Sequence, residues 1–275
     1  MPEKKERIAL KIGYLGTNYH GFQIQPHSEL RTVEGEFFAA LKKLKIVEDR
    51  KAAQYSYAGR TDKGVHASAQ VVSFVTPHPK VTPRMINSML PNDIWAYAIA
   101  KPHWDFNARR DALSREYRYF LVGQSDVDIA RMREASELFI GVHDFSNFSQ
   151  KDGQEDINRI KEVKLIDIEK VDSLIVIDIA AHGFLRKMVR KIVSALRMVG
   201  CGIKDNGWVK DLLELRKTEQ IEPAPASGLI LKKVSFPNVT FEVDEYAKMR
   251  LTAQLKKELF FYATMAAVLD DMMNL

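Results

Sequence analysis

Gly59-Arg60-Thr61-Asp62-Lys63-Gly64-Val65-His66-Ala67 sets one carboxylate between an arginine and a glycine, and Gln70-Val71-Val72-Ser73-Phe74-Val75 follows as a β-branched and aromatic run. The run reads as a strand, so the preceding loop is the rigid entrance to a sheet and holds Asp62 in a fixed direction. A preorganised acid suits a site better than a solvated face, which makes Asp62 the first candidate for chemistry. Taken alone, Thr-Asp-x-Gly is more often a plain turn, in which the aspartate bonds its own backbone and Gly64 supplies a positive φ.

Outward from this loop, strands and helices interleave. Ile8, Leu10, Ile12 and Tyr14 alternate as a first strand, and Phe37, Phe38, Leu41 and Leu44 recur at helical spacing within 34–44. The strand at 71–75, a helix start at 83–90 and the apolar 94–100 complete a first half. The second half repeats the order: a strand at 115–122, a helix at 128–140, strands at 163–169 and 174–180, a long helix at 184–199 and a closing strand at 229–236. The pattern predicts an α+β fold of two halves, each ferredoxin-like in order. Thr76-Pro77-His78-Pro79, Lys151-Asp152-Gly153 and Glu222-Pro223-Ala224-Pro225 punctuate it without forming a long linker. The expected divisions are 1–112, 113–238 and a helical extension at 239–275. Within 241–275, Met249, Leu255, Leu259, Tyr262, Met265, Ala266 and Leu269 form one apolar stripe opposite Lys256 and Lys257, a pattern that predicts packing on the body.

The 275 residues are 46% hydrophobic and 28% charged, ordinary globular values that exclude disorder. Forty-one Lys plus Arg against thirty-six Asp plus Glu leave a net charge of +5, which permits a polyanionic partner without demanding one. Cys201 is the single cysteine, so an intramolecular disulfide and a multi-cysteine zinc site are excluded and a reducing compartment fits. No run of about 18 apolar residues occurs, and Met1-Pro2-Glu3-Lys4-Lys5-Glu6-Arg7 lacks the apolar region of a signal peptide. The expectation is a soluble cytoplasmic chain without a membrane anchor. His20, His27, His66, His103, His143 and His182 are spread over both halves without metal-ligand spacing, so no metal is expected and His66 is read as shaping the Asp62 loop. Gly200-Cys201-Gly202 ends a helix and is a poor phosphate cradle.

The Asp62 loop resembles the signature of the tRNA pseudouridine synthase A (TruA) family, in which Gly-Arg-Thr-Asp-x-Gly-Val-His carries the essential aspartate. Further blocks stand in the family's order: Tyr14-Leu15-Gly16-Thr17-Asn18-Tyr19-His20-Gly21-Phe22-Gln23-Ile24-Gln25, Asn87-Ser88-Met89-Leu90-Pro91-Asn92-Asp93-Ile94, and Phe106-Asn107-Ala108-Arg109 with Arg115-Glu116-Tyr117-Arg118-Tyr119. Ala181-His182-Gly183-Phe184-Leu185-Arg186-Lys187-Met188-Val189-Arg190 and Ala226-Ser227-Gly228-Leu229 complete a match over roughly 7–237. Lys63 replaces a common alanine, Glu34 a usual glutamine, and the tail beyond Pro237 departs from the bacterial pattern.

The resemblance implies a pseudouridine synthase fold, with two ferredoxin-like halves about a mostly antiparallel central sheet and a catalytic cleft between them. It also implies an isomerase of uridine in the tRNA anticodon stem-loop, at positions 38 to 40, working without a cofactor. Asp62 would be the catalytic carboxylate, as nucleophile or as base. Tyr117 would stack on uracil, Leu229 close the apolar side, and Arg190 pair with Asp62. Arg60 would enter the RNA stack or hold the phosphate beside a flipped base. Lys63, Arg109, Arg110, Arg115, Arg118, Arg186 and Lys187 are candidate phosphate contacts. A homodimer with one tRNA crossing both subunits is the expected assembly. Three other readings remain at this point: a relative with broader RNA specificity, a non-catalytic RNA-binding module, and an aspartate-nucleophile hydrolase, which lacks a partner acid or metal cluster.

Overall fold

The computed structural model describes residues 5–26, 28–78, 80–122, 127–150 and 158–273. The start at Met1–Lys4, His27, Pro79 and the join Lys151-Asp152-Gly153 lie outside the described residues. In chain order the elements are β1 (Glu6–Tyr14), α1 (Val33–Lys43), β2 (Ser56–Tyr57), β3 (His66–Thr76), α2 (Pro83–Asn87), β4 (Ile94–Ala100) and β5 (Ser114–Val122). Then come α3 (Ile129–Glu137), β6 (Gly141–Asp144), β7 (Ile160–Val171), β8 (Leu174–Ala181), α4 (Met188–Gly200), α5 (Asn206–Leu213), β9 (Leu229–Ser235), β10 (Glu242–Val243) and α6 (Glu245–Met273).

The strands form one mixed sheet in the order β10-β4-β1-β3-β9-β5-β8-β7-β6, with β2 paired to β3 off this path. Among the described residues every pairing is antiparallel except β3 with β9, where His66 stands opposite Ile230 and Ala67 opposite Leu231. The α+β class with a mostly antiparallel sheet is therefore as the pattern and the resemblance implied. Parallel neighbours start at the same end of a sheet, so the loops leading into β3 and β9 lie side by side at this seam.

Local chemistry sets the helix starts. Thr32, Thr82, Asp128 and Asp205 each accept backbone N–H groups at the N-termini of α1, α2, α3 and α5. The α5 helix was not expected from the sequence; its Asp205 cap takes the Trp208 N–H at 2.8 Å. The long helix begins at Met188 and not at Phe184, because Lys187 sits in the left-handed region at φ 60° and breaks the run. β1 is buried on both faces, since Ala9 and Gly13 are as enclosed as Ile8 and Leu10 between β3 and β4.

The expectation that the terminal helix packs on the body holds for its first turns and not for the rest. It begins at Glu245, after β10 has paired with β4, and only its first turns dock: Ala247 is buried, Asp244 takes the Arg84 guanidinium at 2.9 Å, and Gln254 donates to the Asn92 carbonyl. From Leu259 to Met273 every residue is exposed. A helix of 29 residues is about 44 Å long and outruns the face it starts on.

Candidate active site

The loop that carries Asp62 is held from several sides. Its turn closes with the Val65 N–H on the Asp62 carbonyl at 3.2 Å, and Gly64 supplies the positive φ of +81° the turn requires. The Phe22 N–H donates to the Thr61 carbonyl at 3.0 Å, the Gly64 N–H to Tyr19 O at 3.3 Å, and the buried Thr61 hydroxyl meets Tyr14 Oη at 2.8 Å. On the upstream side, the buried Gln70 amide closes a two-bond clasp with the Gly59 backbone, at 3.1 Å to N and 2.7 Å to O. Gly16 packs so closely beneath that a Cβ there would lie 2.0 Å from Val65 O.

His66 ties this loop to its neighbour. Its Nδ1 accepts the Gly16 N–H at 3.1 Å, and the ring also bonds the backbone of Ser227 in the loop that leads into β9. Burial holds the imidazole below its usual pKa, with the Ser227 bond opposing, so the ring is neutral with Nδ1 as acceptor.

Arg190, in the first turn of α4, reaches the carboxylate across this seam. Its Nε donates to Ala224 O at 2.6 Å, while the Ala224 N–H donates to the Arg190 carbonyl at 3.0 Å. Held at both ends by one residue, the guanidinium presents Nη1 to Asp62 Oδ2 at 3.2 Å. The two side chains are 12% and 23% exposed, which leaves the carboxylate reachable from outside while its direction is fixed.

Tyr117 stands on β5 with its hydroxyl beside Gly59, and its ring meets Phe184 edge to face at 5.3 Å. Burial pushes the phenol pKa far up and the Asp62 charge adds to the rise, so the hydroxyl keeps its proton. Leu229 opens β9, nearly buried, and faces Tyr119 in register, two positions along from the Tyr117–Leu231 pair. Arg60 turns outward and donates Nε to Tyr57 Oη at 3.0 Å. The fold thus gathers Asp62, Arg190 and Tyr117, sets Leu229 on the same seam, and leaves Arg60 at the surface. Phe184, Gln70, His66 and Ala224 complete the surroundings. Of these, only His66 was singled out in the sequence for a part in the loop.

Two candidate phosphate contacts are corrected. Arg115 is buried and spends its guanidinium on four backbone carbonyls: Ala58 (3.0 and 2.8 Å), Arg109 (2.6 Å), His182 (2.6 Å) and Ala112 (3.4 Å). It braces the residue before Gly59 and has little exposure left for a phosphate. Arg118 forms a fork-to-fork pair with Asp178 at 2.8 and 2.7 Å, and Lys232 joins the same carboxylate, so its charge is already answered. Lys63, Arg109 and Arg186 are exposed. Arg110 is exposed as well and pairs with Asp111 at 3.0 Å. Among the described residues no three His, Cys, Asp or Glu side chains converge as metal ligands, and no helix is long and apolar enough to cross a membrane.

A model of the tRNA pseudouridine synthase family matches residues 12–109 and 135–237. The chain is 45% identical to the tRNA pseudouridine synthase A of Methanosarcina mazei over 269 residues, 97% of this chain and 98% of that one. It is 46% identical to the protein of the same name from Methanococcoides burtonii, covering 97% and 96% of the two chains. For the Archaeoglobus fulgidus protein the identity is 43%, over 94% of each chain.

Proposed function

This chain belongs to the tRNA pseudouridine synthase A family and is an isomerase of that family acting on tRNA, and from that premise we propose that Asp62, Arg190 and Tyr117 are the residues that carry the reaction. The observation that supports the assignment is the ion pair of Asp62 and Arg190 at the β3–β9 seam, part-exposed and anchored through Ala224.

Pseudouridine formation breaks the C1′–N1 bond of uridine, turns the base and joins C1′ to C5; the C5 hydrogen leaves as a proton and N1 gains one. Atoms and electrons balance without a redox partner or a group donor. The chain's task is to hold a carboxylate at the sugar or base, to retain the detached uracil and to keep water out. Asp62 acts as the nucleophile or as the base at the sugar, with Arg190 fixing its direction. The protonated Tyr117 ring and Leu229 form the apolar wall against which uracil turns. A uridine stacked in an RNA stem cannot meet Asp62, so the nucleotide is extruded, with Arg60, already on the outer side of the loop, facing the gap. The target positions proposed are 38 to 40 in the anticodon stem-loop, the working assembly a homodimer, and its setting the cytoplasm.

The test is tritium release from C5-labelled uridine in unmodified tRNA, comparing the parent with Asp62→Asn at protein concentrations where both bind. Release is expected from the parent and a fall of about 10³-fold or more in the variant. Equal release by both would remove Asp62 from the mechanism. Binding without release by either would favour an RNA-binding module.

A further inference from the structure

Glu34, in the first turn of α1, is 0% exposed, and an ionisable side chain withdrawn from water is costly unless it is answered. Its answers lie on two sides. Oε2 accepts the Ile24 N–H at 2.7 Å. Oε1 faces Arg50 Nη2 at 2.7 Å, an ion pair whose approach is too oblique for a hydrogen bond. Burial raises the carboxyl pKa, while the Ile24 bond and the charges of Arg50 and Arg60 oppose the rise. Arg50 is held in turn: its guanidinium lies over the Tyr55 ring at 5.6 Å, and its carbonyl accepts the Tyr55 N–H at 3.1 Å.

What the carboxylate holds lies directly beside the Asp62 loop. The Glu34 N–H donates to the Phe22 carbonyl at 2.8 Å, so the backbone and side chain of one residue fix both Phe22 and Ile24. The Phe22 N–H is the donor to the Thr61 carbonyl. Its buried ring packs against those of Tyr14 and Tyr57, with centroids at 6.0 and 5.0 Å. These are the tyrosines whose hydroxyls meet Thr61 Oγ1 at 2.8 Å and accept from Arg60 Nε at 3.0 Å. Three routes thus run from Phe22 to Arg60 and Thr61, the two residues before Asp62, and Glu34 holds the segment at their origin.

We propose that Glu34 is a positioning residue for the isomerase: it fixes the Phe22–Ile24 segment and, through it, the direction of Asp62 and the outward set of Arg60, with Arg50 as the cation that answers the buried carboxylate. This rests on the assignment of Asp62 above. A glutamine at this place would keep the Ile24 bond with its amide oxygen, but its NH2 would then face the Arg50 guanidinium, donor against donor. Either the amide or the arginine has to move, and the segment moves with it. A displacement of about 1 Å at a reacting group costs on the order of 10²-fold in rate.

Steady-state tritium release by the full chain, with circular dichroism and urea midpoints for every variant, tests this. Glu34→Gln is expected to lower kcat at least about tenfold while KM for tRNA stays within about twofold. Arg50→Met, which leaves the carboxylate unanswered, is expected to act in the same direction. Combining Glu34→Gln with Arg50→Met removes the mismatch and is expected to bring kcat back to within about threefold of the parent. A kcat for Glu34→Gln within about twofold of the parent overturns the inference whatever the urea midpoint does, since a residue that only stabilises the core moves the midpoint and not the turnover of the folded chain. Failure of the combined variant to recover overturns the part given to Arg50. Asp62→Asn is measured beside them. If it releases tritium like the parent, the reading of Asp62 falls and this inference with it; if it is inactive while Glu34→Gln is unimpaired, only the inference about Glu34 falls.

Discussion

The loop around Asp62 and the outer half of α6 are opposites in how this chain supports them. The loop has little apolar surface of its own, yet its backbone is tied by β1, by the segment around Tyr19 and Phe22, by Gln70 and, through Arg115, by three other stretches of chain. The outer half of α6 is mostly apolar and lies wholly exposed. Precision at the first is supplied from within the chain, by polar groups that are expensive to leave unpaired. In the second, every described residue from Leu259 to Met273 is exposed. The comparison predicts that small changes around the loop cost far more than their size, and in the protein's own core as well as at its site.

The largest effect is expected at Arg115. Arg115→Ala strands the carbonyls of Ala58, Arg109, Ala112 and His182, some of them buried, and should lower stability by about 3 kcal/mol or more in urea unfolding. Arg115→Lys keeps the charge but replaces the planar fork with a single ammonium, and is expected to recover only part of the loss. A fall below about 0.5 kcal/mol, the ordinary range of a surface substitution, would return Arg115 to the surface role the sequence suggested.

Next is Gly16→Ala. The new Cβ would need the position 2.0 Å from Val65 O, so the backbone after Asp62 has to move. A shift of about 1 Å at a reacting group costs on the order of 10²-fold in rate, and tritium release should fall by that order while tRNA binding changes little. Unchanged turnover would show that the loop is not held from below and would erase half of the contrast with α6.

How far these supports could be read in the sequence depends on whether their partners are local. The turn at Asp62 was legible because Gly64 and the strand after it are neighbours in the chain, and so was the order of strands and helices. Helical periodicity in the segment of Arg190 carries no information about a carboxylate 128 residues away. For that pair only the resemblance pointed to the partner. Arg115 misled for a physical reason: its partners are backbone carbonyls, which have no signature in the sequence, so a strand arginine that braces four of them looks like any surface cation. The parallel β3–β9 contact is two residue pairs long and joins segments more than 160 positions apart, beyond the reach of any pattern. α6 shows the converse limit. Its apolar repeat was visible, but whether a repeat meets the body or something else is set by where the helix leaves the sheet.

The smallest effect tests the contrast by pH. His66 accepts the Gly16 N–H on Nδ1, and protonation turns that acceptor into a donor facing a donor. Its folded pKa is depressed by burial, so between that value and the unfolded value of about 6.5 the unfolded chain binds more protons than the folded one. Stability therefore rises with pH across this window, is fully present above about 6.5, and is lost as pH falls through the folded pKa. Urea midpoints measured from pH 7 to pH 5 should drop for the parent and drop less for His66→Gln, whose amide oxygen can still accept. The outer half of α6 contains no histidine, the residue type that ordinarily changes charge in this range, so its helicity is expected to stay constant over the same steps. Equal pH slopes in parent and His66→Gln would take His66 out of the loop's support, and helicity lost in parallel with stability would mean that the two regions are not independent.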